Sequence, residues 1–269
     1  MSEKLQKVLA RAGLGSRREL ETWIAAGRVK INGVLAKLGD RVEANDKIAV
    51  DGKPLSLRVT QKENINTRVI AYHKDVGTIC TRSDPEQRET IFSHLPALKR
   101  GRWVAIGRLD ISTSGLYLLT TDGELAHALM HPSRRIEREY LVRVLGKVEN
   151  EVLLRLMEGV TLDDGEAKFE NIVDGGGEGA NHWYRVTLCE GRNREVRRLW
   201  ESQGLTVSRL SRIRFGPISL SKHLRRGRWE DLSPQQIADL YQAAGLEQPT
   251  LAKATLKPSR PPAKHRQRR

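Results

Sequence analysis

From residue 69 to residue 188 the chain repeats one pattern, an apolar run of strand length followed by a turn or a helix, and this repetition limits the folds open to it. The runs 69–72, 103–106, 116–119, 140–144 and 183–188 are rich in β-branched and aromatic residues and read as strands. Helical spacing comes between them. Asp122 caps a segment carrying Leu125, Leu129 and Met130, residues 149–158 carry Val152, Leu153, Leu156 and Met157, and Ser233-Pro234 opens a helix that closes at Gly245. The mixture predicts an α+β fold with a mainly antiparallel sheet.

Ahead of this region lies a smaller unit. Leu5, Val8, Leu9 and Ala12 recur at helical spacing with Lys4, Lys7 and Arg11 between them, and Gly13 supplies a stop. Ser16-Arg17-Arg18-Glu19 is a capping box before Leu20, Trp23 and Ile24, and this second helix closes at Gly27. Arg28 to Ile31 and Val34 to Lys37 then flank Asn32-Gly33, a pair that suits a type I′ hairpin turn, and a second turn pair, Asp51-Gly52, follows. The order of capped helix and hairpin resembles the small RNA-binding domain, often called the alpha-L motif, of a ribosomal protein, tyrosyl-tRNA synthetases and several RNA-modifying enzymes. The resemblance implies that Lys4, Lys7, Arg17, Arg18, Arg28 and Lys30 contact RNA. The expected division is an RNA-binding domain at 1–58, a polar linker at 59–68, a catalytic domain at 69–245 and a basic disordered tail at 246–269.

Charge narrows the partners. Lys and Arg number 47 against 33 Asp and Glu, a net charge of +14, so a polyanion is the expected partner. The ends carry most of the excess: residues 1–58 hold net +5 and residues 246–269 net +6. No run approaches the ~20 apolar residues of a membrane span, no apolar core of a signal peptide is present, and no basic amphipathic helix with an aromatic face suits a membrane surface. A cytoplasmic monomer is expected. Cys80 and Cys189 stand far apart, which argues against a metal cluster or a disulfide framework and leaves two free thiols. The run from Asp174 to Gly179 is rich in glycine but lacks the Gly-Lys-Ser/Thr ending of a phosphate loop, so it is expected to be a flexible hairpin loop.

Two segments carry groups suited to chemistry. The run from Gly107 to Leu116 sets Asp110 beside Arg108 between two expected strands, a position that fits either a turn residue or a reactive carboxylate. The run from Glu190 to Trp200 reads as a strand end, a turn and a helix with Val196, Leu199 and Trp200 on its apolar face and Arg194, Arg197 and Arg198 on the other. A guanidinium from that face would hold a nearby Asp ionised.

Together with Arg138-Glu139-Tyr140-Leu141-Val142, these segments resemble one family of RNA pseudouridine synthases over about residues 1–245. It comprises the enzymes of ribosomal RNA, type A for the small ribosomal particle and types B, E and F for the large one. The resemblance implies catalysis by Asp110, a flipped uracil packed on Tyr140, and Arg197 paired with the aspartate, with Arg192 and Arg194 as competitors for that pairing. Arg108 would fill the gap left by the flipped nucleotide or bind its phosphate. No metal or cofactor is implied, and the implied partner is ribosomal RNA, of the large subunit or its assembly intermediate. The alternatives are a small-subunit enzyme with the same residues, or a non-catalytic ribosome-assembly factor in which Asp110 is a turn residue. One departure stands out: the family pattern Tyr-x-Lys-Pro-x-Gly appears here as Tyr72-His73-Lys74-Asp75-Val76-Gly77, and the missing proline is expected to loosen a strand end.

Overall fold

The computed structural model describes residues 2–55, 67–82, 84–98 and 101–247. Most of the expected linker and nearly all of the basic tail lie outside the described residues.

The N-terminal unit follows its local signals. The helices Leu5–Arg11 and Arg17–Ala25 are joined through Gly13, whose φ is 89°. Ser16 and Glu19 exchange both capping-box hydrogen bonds. Asn32 and Gly33 take φ of 51° and 88° between the strands Val29–Ile31 and Val34–Leu35, as a type I′ turn requires. Leu5, Leu9, Leu20, Ile24, Val29 and Ile48 close a small core of their own.

The second unit is built on one sheet. Its strands run in the order Asn171–Glu178, Asn181–Leu188, Arg138–Leu145, Val207–Phe215, Ser114–Thr120, Val69–Lys74 and Trp229–Asp231. Neighbours are antiparallel except Ser114–Thr120 against Val207–Phe215, which lie parallel. Gly115 makes that contact possible. A Cβ there would overlap the backbone N and O of Arg212, and its φ of 104° suits glycine. One face of the sheet buries Tyr72, Tyr117, Val142, Tyr184 and Val186 under Leu156, Leu199 and Trp200 of the helices Asn150–Glu158 and Glu195–Glu201. The other face is covered over its Val69–Lys74 and Ser114–Thr120 strands by Leu125 and Leu129 of Gly123–Met130 and by Leu240 and Tyr241 of Pro234–Ala244.

Several expectations change. The glycine run is no loop, because Asn171–Glu178 is an eight-residue strand paired with Asn181–Leu188, and glycine there permits a bulge between Asp174 and Gly177. The run 103–106 shortens to a strand at Val104–Ala105, since Trp103 is turned into the core with its Nε1 donating to the Pro96 carbonyl. Thr67 and Arg68 belong to the second unit rather than to a linker: Thr67 Oγ1 lies 3.0 Å from the Tyr241 hydroxyl, and Arg68 pairs with Asp231. Leu246 packs on the same core, so the packed chain extends one residue past the expected boundary. At the departure from the family pattern, Val69–Lys74 continues as a strand to Lys74, whose buried ammonium donates hydrogen bonds to three carbonyls.

Candidate active site

The Asp110 loop is positioned by its backbone. Thr113 N–H donates to the Asp110 carbonyl, which closes a turn. The next three carbonyls are held by two buried cations and an amide. Lys74 Nζ donates to Thr113 O at 2.8 Å and to Ile111 O at 3.4 Å, Gly77 N–H donates to Ile111 O, and Arg197 Nη2 donates to Ser112 O at 3.1 Å. Burial pushes the Lys74 ammonium below its usual pKa, while the nearby Asp110 charge acts in the opposite direction. The half-buried Asp110 carboxylate makes no hydrogen bond or ion pair among the described residues.

Asp110 opens into a cleft of about 780 Å³ that also takes in Tyr140, Arg108, Arg138, Arg212 and the segment from Glu190 to Val196. Strand register brings the middle of this set together: Tyr140 of Arg138–Leu145 faces Arg212 of Val207–Phe215, and Arg138 faces Phe215. Arg212 is 2 % exposed, donates through Nε to the Leu116 carbonyl, and leaves Nη2 without a partner among the described residues. Its guanidinium and that of Arg138 each lie 5.2 Å from the Phe215 ring centroid. Arg108 is exposed at the rim.

The helix arginines divide differently from the expected basic face. Arg197 is 8 % exposed and sits behind the Asp110 loop, with Nη1 on the Val207 carbonyl and Nη2 on the Ser112 carbonyl. No ion pair joins it to Asp110 among the described residues; its charge acts through the loop it holds, and Asp110 in turn offsets part of the lowering that burial imposes on its pKa. Arg192 lines the cleft but is engaged by Glu190 and by the carbonyls of Asp164, Gly165 and Glu166. Arg194 caps the helix in a left-handed conformation and pairs with Glu201.

Sequence reasoning missed three side chains here: Lys74, Arg212 and Glu195. Glu195 is 3 % exposed, accepts the Arg192 N–H through Oε2 and finds no donor for Oε1 among the described residues. Burial, reinforced by the neighbouring Glu190 carboxylate, pushes its pKa up to about 7. The signal was available only in part, as a Glu at the first turn of a helix whose preceding turn also carries a Glu.

In the N-terminal unit Arg17 and Arg18 stand exposed at the helix start, and Lys4 and Lys30 are exposed as well. None of these four makes an ion pair among the described residues. Arg28 is paired with Asp51 and stacked on Trp23, and Lys7 reaches Glu3 and Glu124, the latter in the second unit. No cluster of three or more His, Cys, Asp or Glu suited to a metal occurs among the described residues, and no helix is long and apolar enough to cross a membrane among them.

A carboxylate without a partner among the described residues and a tyrosine share an arginine-lined cleft, and a small basic domain precedes it. Comparison with known proteins gives the family. A model described as RNA pseudouridylate synthase matches residues 68–202 and an S4 domain model matches residues 3–54, and this chain belongs to the RNA pseudouridylate synthase family. It is 58 % identical over 257 residues to the ribosomal large subunit pseudouridine synthase B of Haemophilus influenzae, covering 95 % of this chain and 71 % of that one. It is 54 % identical to the protein of the same name from Pseudomonas aeruginosa, covering 100 % and 69 %. The Escherichia coli protein is 55 % identical, with 97 % and 89 % covered. A crystal structure of a pseudouridylate synthase superimposes with a TM-score of 0.61 at 27 % identity, over 88 % of this chain and 99 % of that chain.

Proposed function

We propose that the protein isomerises one uridine of large-subunit ribosomal RNA to pseudouridine, with Asp110 as the catalytic carboxylate. One observation carries the choice of residue. Three carboxyl groups line the cleft: Glu190 is held by Arg192, Glu195 is buried so that its charged form is disfavoured, and Asp110 alone is without a partner among the described residues. The names of the relatives support RNA of the large ribosomal particle as the target.

The chemistry follows from that placement. A uridine inside a stack cannot turn, so the target is flipped into the cleft and its ring is held against Tyr140. The bond from the ribose to ring nitrogen 1 breaks with its electron pair going to the base. The Asp110 carboxylate supplies the negative charge that the electron-poor ribose carbon needs, either by bonding to it or by facing it. The base turns, carbon 5 bonds to the ribose, carbon 5 loses its proton and nitrogen 1 gains one. Atoms and electrons balance without a co-reactant. Lys74 and Arg197 act as positioning residues by fixing the three carbonyls that follow Asp110. Arg17, Arg18, Lys4 and Lys30 bind phosphates of the same RNA, and Arg108 binds at the rim.

The deciding experiment maps pseudouridine across ribosomal RNA in cells with and without the protein, and with the Asp110→Asn variant. Loss of one site in the large-subunit RNA in both deficient strains is the expected result. A site lost from the small-subunit RNA redirects the substrate, and no lost site refutes the activity.

A further inference from the structure

The main sheet has a second face that is open in part. Behind the strands Arg138–Leu145 and Asn181–Leu188, on the side away from Tyr140, Val142 and Val144, no helix among the described residues covers it. Strand alternation puts Leu141 and Arg143 on this side, and register places Arg143 between Trp183 and Arg209. None of these four residues belongs to a buried core, and Trp183 is half-buried. The Arg143 guanidinium lies 5.8 Å from the Trp183 ring centroid, with Nε anchored on Ser208 Oγ at 2.9 Å. Arg209 is exposed, and neither arginine makes an ion pair among the described residues.

The glycine run completes the site. A Cβ at Gly175 would come 3.1 Å from the Trp183 carbonyl oxygen, and one at Gly177 would overlap the backbone of Asn181 and His182. Glycine is therefore required at Gly177, while a Cβ at Gly175 would fit only tightly beside Trp183. The run leaves a groove of about 550 Å³ lined by Arg143, Gly175, Gly176, Gly177, Asn181 and Trp183, within the ~300–1,000 Å³ typical of small-ligand sites. No acidic side chain lines it among the described residues.

We propose that this groove is a second RNA site, in which one unpaired nucleotide of any sequence stacks its base on Trp183 while Arg143 and Arg209 take the flanking phosphates. The proposal rests on the reading of the substrate as RNA. An indole presented on a sheet offers a base a flat partner that every nucleobase can use. The glycine floor lets the ring approach the backbone. Arg143 in the groove and Arg209 on the strand beside it are two guanidiniums free of carboxylate partners among the described residues, and with no acidic side chain in the groove lining they match a polyanion rather than a basic or apolar peptide. The groove lies on the face opposite Tyr140, so it anchors RNA flanking the target and takes no part in the bond changes.

The test uses the full chain and a twelve-nucleotide oligoadenylate, which presents no uridine to the cleft, with affinity read by fluorescence anisotropy at low salt. Trp183→Ala is expected to weaken binding roughly 5- to 150-fold, the loss of one stacked base, and Trp183→Phe to restore most of it. Affinity for Trp183→Ala within twofold of the unaltered protein overturns the site. Should the alanine variant fail to fold, photocrosslinking of the unaltered protein to the same oligonucleotide carrying one 5-iodocytidine decides the matter. An adduct within residues 181–185 is expected, and its absence overturns the proposal. Tritium release from 5-tritiated uridine in RNA, measured in parallel, separates the two readings. Turnover without a Trp183 effect sinks this site alone, whereas a Trp183 effect without turnover sinks the proposed activity and leaves the site.

Discussion

Replacing Glu195 with Gln should make the protein more stable at pH 8 and leave it nearly unchanged at pH 4. In the folded chain this carboxyl is 3 % exposed and beside Glu190, and its pKa is pushed from 4.5 up to about 7. The unfolded chain releases the proton near 4.5. Between those values the folded state binds more protons than the unfolded one, so stability falls as pH rises through the window, by at most about 1.4 kcal/mol per pH unit. Across the roughly two and a half pH units involved, the cost reaches about 3 kcal/mol above pH 7. Glutamine imitates the neutral acid: its oxygen can keep the Arg192 N–H and its amide can donate to Glu190. The variant therefore escapes the penalty. For a chain of this size about 3 kcal/mol corresponds to a rise in Tm of roughly 6–10 °C. Urea unfolding followed by circular dichroism at pH 4, 6 and 8 measures the difference directly. A difference between variant and unaltered protein that stays constant within about 0.5 kcal/mol from pH 4 to 8 would refute the reasoning, because the proton would then not belong to Glu195.

Four further outcomes are expected. Asp110→Asn should abolish tritium release while RNA affinity changes little, and turnover within tenfold of the unaltered enzyme, about 1.4 kcal/mol of barrier, would sink the assignment. Tyr140→Phe keeps the ring; if the hydroxyl moves a proton, single-turnover rates fall by roughly a hundredfold or more, and an unchanged rate leaves Tyr140 as packing alone. Gly115→Ala forces a Cβ into the Arg212 backbone at the parallel strand pair and should cost at least about 3 kcal/mol of stability, read by chemical denaturation; a loss under about 1 kcal/mol would mean the pairing relaxes. Removing Arg17 and Arg18 together should flatten the plot of log affinity against log salt by about 0.7 per lost phosphate contact, and an unaltered slope would place RNA elsewhere on the domain.

What the sequence determined by itself was whatever local chemistry dictates. The capping box at Ser16, the helix start at Ser233-Pro234, the Asn32-Gly33 turn and the stop at Gly245 each depend on a few neighbouring residues, so they were legible in order along the chain. The Asp110 loop was legible for the same reason, through its motif. Pairing across the sheet was not. Arg212 enters the cleft because its strand lies parallel to one nearly a hundred residues earlier and antiparallel to the strand of Tyr140, and no local pattern encodes that. Lys74 reads as a strand-end lysine until the fold wraps three carbonyls around its ammonium. Arg197 reads as part of a basic stripe because helical spacing ranks residues by face and knows nothing of what packs there; burial against Val207 and the Asp110 loop turned it inward. The glycine run shows the same limit from the other side. Its composition signals a loop, since glycine costs backbone entropy in a strand, but a Cβ at Gly177 would overlap the backbone of Asn181 and His182, and that approach exists only once the sheet has formed.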